Sequence, residues 1–149
     1  MTQRDLAGAG APRYLVTIMS ATHTVGMYMT RSPVTVERAT TMGRALKIMG
    51  DQGFRHLPVV DGGRLVGLVS ERELKVVEHM QGVDSAMCIV GDFILGPPFQ
   101  VASDAHLRDV ARAMAEKKYG SAVVVDGEQI VGVFTTTDAL KALAIVLGA

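Results

Sequence analysis

At 149 residues the chain is long enough to bury one sizeable core, or two small units that share one. Its 15 basic and 15 acidic side chains cancel, so no overall field favours nucleic acid or a basic partner, and a hydrophobic fraction of 48% argues against intrinsic disorder. The single cysteine, Cys88, excludes an internal disulfide, and no run approaches the roughly 20 apolar residues that cross a bilayer. Arg4 and Asp5 sit in a leading stretch without the apolar region of a secretory signal, so the expectation is a soluble, cytoplasmic protein.

Residues 1–24 read as an extension. Met1 to Pro12 is rich in glycine and alanine, and Tyr14 to Met19 is apolar enough to dock, as helix or as strand. Val25 to Thr30 reads as a short helix ended by Pro33, and the alternation in Val34-Thr35-Val36 predicts a brief strand. Thr40 or Thr41 caps a helix whose inward face is Met42, Ala45, Leu46 and Met49, with Gly50 to Gly53 closing it. His56 to Val60 and Leu65 to Val69 form a hairpin around Asp61-Gly62-Gly63, residues that tolerate the positive φ of such turns. Glu71 to Met80 is a helix with Leu74 and Val77 inward, and Gln81 to Val90 is a linker.

A shift of 65 residues then repeats the pattern without a gap. Val25-Gly26 meets Val90-Gly91, Pro33 meets Pro98, and Met49 meets Met114. Val59-Val60-Asp61-Gly62 meets Val124-Val125-Asp126-Gly127, and Val66-Gly67 meets Val131-Gly132. Coincidence at the turn, the strand end and the helix face together marks an internal duplication of a β-α-β-β-α unit. The expected boundaries are 25–84 and 85–149. Each unit is too small to bury its sheet alone, so the two are expected to form one compact module.

Each copy turns on a strand that runs straight into a helix: Gly132-Val133-Phe134-Thr135-Thr136-Thr137-Asp138, and earlier Gly67-Leu68-Val69-Ser70-Glu71-Arg72-Glu73. A helix N-terminus presents unpaired N–H groups and a partial positive charge, so it suits a phosphate. Together the Pro-Val-x-Val strand, the amphipathic helix, His56-Leu57-Pro58-Val59-Val60-Asp61 and the Thr/Ser-x-x-acid junction resemble the CBS domain. Two in tandem resemble a Bateman module, over about Val25 to Val146.

The resemblance implies an α/β (α+β) fold of two CBS units packed sheet to sheet with pseudo-two-fold symmetry. It also implies two clefts, each with the junction of one copy and the lead-in segment and first long strand of the other. In such clefts the acid holds ribose hydroxyls, the junction hydroxyls and helix N-terminus hold phosphate, and apolar side chains sandwich adenine. Carried onto this chain, the better cleft uses Thr135, Thr137 and Asp138 with Met29, Phe54, Arg55 and His56. Arg55-His56 is similar to the basic pair that faces phosphate in the gamma subunit of the AMP-activated kinase, in the reverse order. The second cleft would use Ser70, Arg72 and Glu73 with Ile94, Tyr119, Gly120 and Ser121. It departs from the pattern, because glutamate replaces aspartate and its extra methylene intrudes on the ribose space. The implied ligands are AMP, ADP or ATP, with S-adenosylmethionine or NADH as further possibilities. The implied partners are a second copy, joined through exposed helices, and an effector protein.

Other readings of the same residues stay open. Thr135-x-x-Asp138 and Ser70-x-x-Glu73 both fit helix capping boxes, which need no ligand. Such boxes prefer glutamate or glutamine at the fourth place, so Ser70–Glu73 fits that role better than Thr135–Asp138. Arg55 and His56 fit solvated residues at a strand start, and Arg72 is expected to face solvent. The nine methionines fit core filler. The four histidines are scattered, so no metal site is expected. No nucleophile elbow or Walker loop is present, so no enzyme is expected. A ligand-free interaction module, with Val76-Val77 and Leu140 to Leu147 as its apolar face, is the alternative to a sensor.

Overall fold

The computed structural model describes residues 22–31 and 34–148. The docking segment read at Tyr14 to Met19 and the stop at Pro33 lie outside these residues. Among the described residues the fold is mixed α+β, with four helices and two sheets. In the first sheet, β2 (Val36–Glu37), β3 (His56–Asp61) and β4 (Arg64–Ser70) lie in that order. The second has the order β1-β7-β6-β5, from β1 (Thr30–Arg31), β7 (Gln129–Thr135), β6 (Ser121–Asp126) and β5 (Gln100–Val101). The helices are α1 (Met42–Gln52), α2 (Glu71–Glu78), α3 (Leu107–Lys117) and α4 (Thr136–Val146). Among the described residues no helix is long and apolar enough to cross a membrane.

Local chemistry explains the elements. Thr41 rather than Thr40 caps α1, accepting from the Arg44 N–H at 3.2 Å. Gly53 closes the same helix in the left-handed region at φ 73°, where glycine pays no Cβ penalty, while Gly50 lies inside it. Met42, Ala45 and Met49 are buried with Leu57, Val59, Val69 and Leu74 in a first core. Val110, Met114, Ala122, Val124 and Phe134 build the second. The hairpins match in detail. Val59 pairs with Gly67 as Val124 pairs with Gly132, and both ladders slip one position later.

The lead-in segments are exchanged between the repeats. Val25 begins a 3-10 turn and is fully buried in the second core, while Val90 begins another and is fully buried in the first. The exchange obeys the 65-residue shift reciprocally. The Val25 N–H donates to the Ala105 carbonyl at 2.9 Å, and Val90 donates to Thr40 at 2.8 Å. Gly26 donates to Ser103 and Gly91 to Arg38; Leu107 donates to His23 and Met42 to Cys88. Shifting one partner forward while the other shifts back is the signature of a pseudo-two-fold axis.

One strand breaks the symmetry. Sequence reasoning predicts no strand at Thr30-Arg31, yet β1 pairs antiparallel with β7, Thr30 opposite Val133 and Arg31 opposite Gly132. The equivalent stretch, Leu95-Gly96, adds no strand to the first sheet. Gly96 sits at φ 149° and is followed by Pro97 and Pro98, which lack the N–H groups that continue a ladder.

Candidate functional site

The first cleft opens at the β7-to-α4 junction. Thr135 ends the strand and caps the helix, and Asp138 stands at the third helical position, only 5% exposed. A closed capping box joins them. The Asp138 N–H donates to Thr135 Oγ1 at 3.2 Å, and the Thr135 N–H donates to Asp138 Oδ2 at 2.9 Å. The Thr135 hydroxyl also donates to Oδ2 at 3.0 Å. From the first repeat, the Thr30 hydroxyl donates to Oδ1 at 3.1 Å. The carboxylate therefore ties the second repeat's helix to the first repeat's lead-in strand.

Between these elements lies a cavity of about 540 Å³, within the range of small-molecule sites. The first repeat contributes Gly53, Phe54, Arg55 and His56, the turn from α1 into β3. This turn is held by the Glu71 N–H, which donates to the Arg55 carbonyl at 2.8 Å. The second repeat contributes Thr135, Thr136, Thr137, Asp138 and, one turn along α4, Lys141. At the helix start, the Thr136 N–H donates to the Gly120 carbonyl, which leaves the Thr137 N–H without an acceptor among the described hydrogen bonds. Arg55 and Lys141 have no ion-pair partner among the described residues. Burial lowers the pKa of His56 below its usual 6.5; Glu73 and Asp138 pull it back up, and Arg55 lowers it further. The net effect disfavours the imidazolium form of His56, which shares its cavity with two cations and a helix N-terminus.

The second cleft opens at the β4-to-α2 junction. Ser70 caps α2 and Glu73 closes its box, with bonds of 3.1 and 3.3 Å. The cavity beside it, about 750 Å³, is walled by Leu68, Leu74, Phe93, Ile94, Leu95, Pro97 and Pro98. Phe99 and Tyr119, whose rings pack 5.2 Å apart, complete the wall. Its charged lining groups are Glu73 and Asp92, both acidic.

Of the residues expected in the better cleft, Thr135, Thr137, Asp138, Arg55, His56 and Phe54 line one cavity. Met29 does not. Its side chain turns onto the second core and its sulfur lies over Gly132, so its neighbour Thr30 faces the cavity instead. Thr30 opens β1, where pairing with Val133 fixes it, while Met29 lies just before the strand. Sequence reasoning missed Thr30, Thr136 and Lys141. Lys141 was legible as the residue one helical turn beyond Asp138. Of the residues expected in the second cleft, Glu73, Ile94 and Tyr119 line its cavity. Gly120 lies in the first cleft instead, and Ser70, Arg72 and Ser121 stand outside the second cavity, Arg72 exposed. Asp138 closes its capping box as fully as Glu73, contrary to the expectation that aspartate fits the box less well.

Comparison with known proteins places this geometry. The family model of the CBS domain matches residues 25–79 and 90–145. An uncharacterized protein of Methanocaldococcus jannaschii is 30% identical over 118 residues, covering 78% of this chain and 43% of that protein. The chloroplastic CBS domain-containing protein CBSX1 of Arabidopsis thaliana is 28% identical over 153 residues, covering 83% and 65%. The chain thus spans less than two thirds of the length of either relative. The crystal structure of CBSX2 in complex with AMP superposes with a TM-score of 0.66 at 29% identity, over 84% of this chain and 98% of that one.

Proposed function

The chain belongs to the CBS domain family, with two copies in tandem, and from that premise we propose that it is a regulatory sensor holding an adenosine-containing ligand in the first cleft. One observation carries the reading: the groups around the 540 Å³ cavity come from both repeats. Arg55 and His56 belong to the first and Thr135, Thr137, Asp138 and Lys141 to the second, so a ligand touching all of them favours one placement of the repeats over others. Asp138 offers the acceptor for ribose hydroxyls. The threonine hydroxyls, the α4 N-terminus, Arg55 and Lys141 offer the setting for phosphate. This balance favours AMP, ADP or ATP over S-adenosylmethionine, whose sulfonium would face two cations. AMP in the related CBSX2 complex supports the same class.

The proposed role is binding and signalling rather than turnover, in the cytoplasm. A second copy is its proposed assembly partner, with an effector protein reading the result. The exposed apolar residues Val76 on α2 and Leu140 and Leu143 on α4 supply the contact face, whereas Val77 turns inward onto the first core. Sedimentation at micromolar concentration tests the dimer, and a monomer would remove it.

The function is tested by a thermal-shift panel of AMP, ADP, ATP, NADH and S-adenosylmethionine. A ligand that binds only the folded chain adds about 2.7 kcal/mol of stability at a hundredfold excess over its Kd. The expected result is a rise in Tm with the adenosine phosphates that Asp138→Ala abolishes. No shift with any compound would leave the ligand-free interaction module as the better account.

A further inference from the structure

We propose that Thr30 sets the affinity and hydroxyl selectivity of the first cleft by competing with the ligand for Asp138. The inference rests on the ribose-binding reading of that carboxylate. A carboxylate accepts about four hydrogen bonds, two on each oxygen. Oδ2 already accepts from the Thr135 N–H at 2.9 Å and from the Thr135 hydroxyl at 3.0 Å. The Thr30 hydroxyl donates chiefly to Oδ1, at 3.1 Å, and lies 3.4 Å from Oδ2. A single position, on Oδ1, is therefore open, whereas a ribose 2′,3′-diol brings two O–H donors. Both can bind only if one protein donor withdraws.

Thr30 is the donor that can. Releasing the Thr135 N–H would leave a backbone donor without a partner beside a carboxylate only 5% exposed. The Thr135 oxygen is anchored by the Asp138 N–H at 3.2 Å, and Asp138 Oδ2 is the one acceptor its hydroxyl finds among the described side-chain hydrogen bonds. Thr30 is exposed, so its hydroxyl turns to water at little cost. It also sits on a two-residue strand held to β7 by only the pairs Thr30–Val133 and Arg31–Gly132. Its release therefore loosens the join between the first repeat's lead-in segment and the second sheet, at the moment the ligand arrives. The second cleft has no such device, because Leu95 stands at the equivalent position.

Calorimetric titration of the wild type, Thr30→Val and Thr30→Ser with AMP and with 2′-deoxy-AMP tests this. Valine keeps the branched shape that suits a strand and removes the donor, and serine keeps the donor. Thr30→Val should bind AMP roughly two- to tenfold more tightly, the range of one released hydrogen bond. Its affinity for 2′-deoxy-AMP, whose one remaining hydroxyl fits the open position, should not change. Thr30→Ser should match the wild type with both ligands. Weaker AMP binding by Thr30→Val would make Thr30 a ligand contact and overturn the proposal. Equal changes with both ligands, or none with either, would also overturn it. Absence of AMP binding in all three chains would instead defeat the ribose reading itself, and the competition with it.

Discussion

The two clefts share one construction, set 65 residues apart, and part company in what faces them. Both have a hydroxyl at the N-cap, an acid at the third helical position and a closed capping box. Around that frame, position by position, the charged and hydrogen-bonding groups of the first cleft have small or apolar counterparts. Arg55 corresponds to Gly120, His56 to Ser121, Lys141 to Val76 and Thr30 to Leu95. The first cavity has two cations and one buried anion; the second has two anions and an aromatic wall. The lesson is that the capping box belongs to the fold, whereas the surrounding charges set the two clefts apart. A Thr/Ser-x-x-acid motif alone does not mark a nucleotide site, because its hydrogen bonds are satisfied within the chain.

The largest expected effect tests the asymmetry of the lead-in strands. A Cβ on Gly132 would lie 2.6 Å from the Thr30 carbonyl oxygen, a backbone atom held in the ladder. One on Gly67 would have Ile94 side-chain atoms as its nearest neighbours, at 2.7–2.8 Å. Gly132→Ala should cost about 2–3 kcal/mol in urea unfolding and Gly67→Ala about 1 kcal/mol, since a side chain yields where a ladder does not. Equal costs would mean that β1 is not a distinguishing feature of the first cleft.

The charge difference gives the next largest effect. Lys141→Ala should weaken AMP binding roughly three- to tenfold, the scale of one exposed charge-assisted contact, while Val76→Ala should leave it unchanged. Added salt should narrow the Lys141 difference, and salt-independent affinity would argue against phosphate at this position.

His56 adds a pH signature that the second cleft, with Ser121 in its place, lacks. Its folded pKa is lowered, chiefly by burial, so below pH 6.5 the unfolded chain binds the proton more readily than the folded one. Its contribution to stability is complete above pH 6.5 and is lost as pH falls toward the folded value. His56→Gln should flatten that part of the stability–pH curve measured by denaturant unfolding. An unchanged slope would assign the acid sensitivity to other groups.

The smallest effect concerns the helix ends. Gly53 closes α1 in the left-handed region, and the equivalent Lys118 closes α3 at φ 57° with a side chain attached. Lys118→Gly should stabilise the fold by about 0.5–1 kcal/mol, a gain of a few degrees in Tm.

Much of this was legible in the residues. The hairpins follow from Asp61-Gly62-Gly63 and its repeat, and the core faces from Met42, Ala45 and Met49 at helical spacing. The grouping of Phe54, Arg55 and His56 with Thr135, Thr137 and Asp138 came from family resemblance rather than from periodicity. The strand at Thr30-Arg31 was not legible, because two residues carry no period and their pairing partner lies about a hundred residues away. The exchange of Met29 for Thr30 follows from that omission, since only a strand fixes which side chain faces the cleft. The completeness of the Asp138 box was hidden as well: preference statistics for glutamate say nothing of a carboxylate that Thr30 also holds in place.

The most direct test of the claim that one cleft binds and the other does not is calorimetric stoichiometry with AMP. The wild type should bind one AMP per chain. Glu73→Ala should retain that stoichiometry with affinity changed by no more than about twofold. Asp138→Ala should lose about a hundredfold or more in affinity, the scale of two charge-assisted hydrogen bonds. Two equivalent sites per chain, or a single site lost with Glu73→Ala and kept with Asp138→Ala, would contradict the assignment.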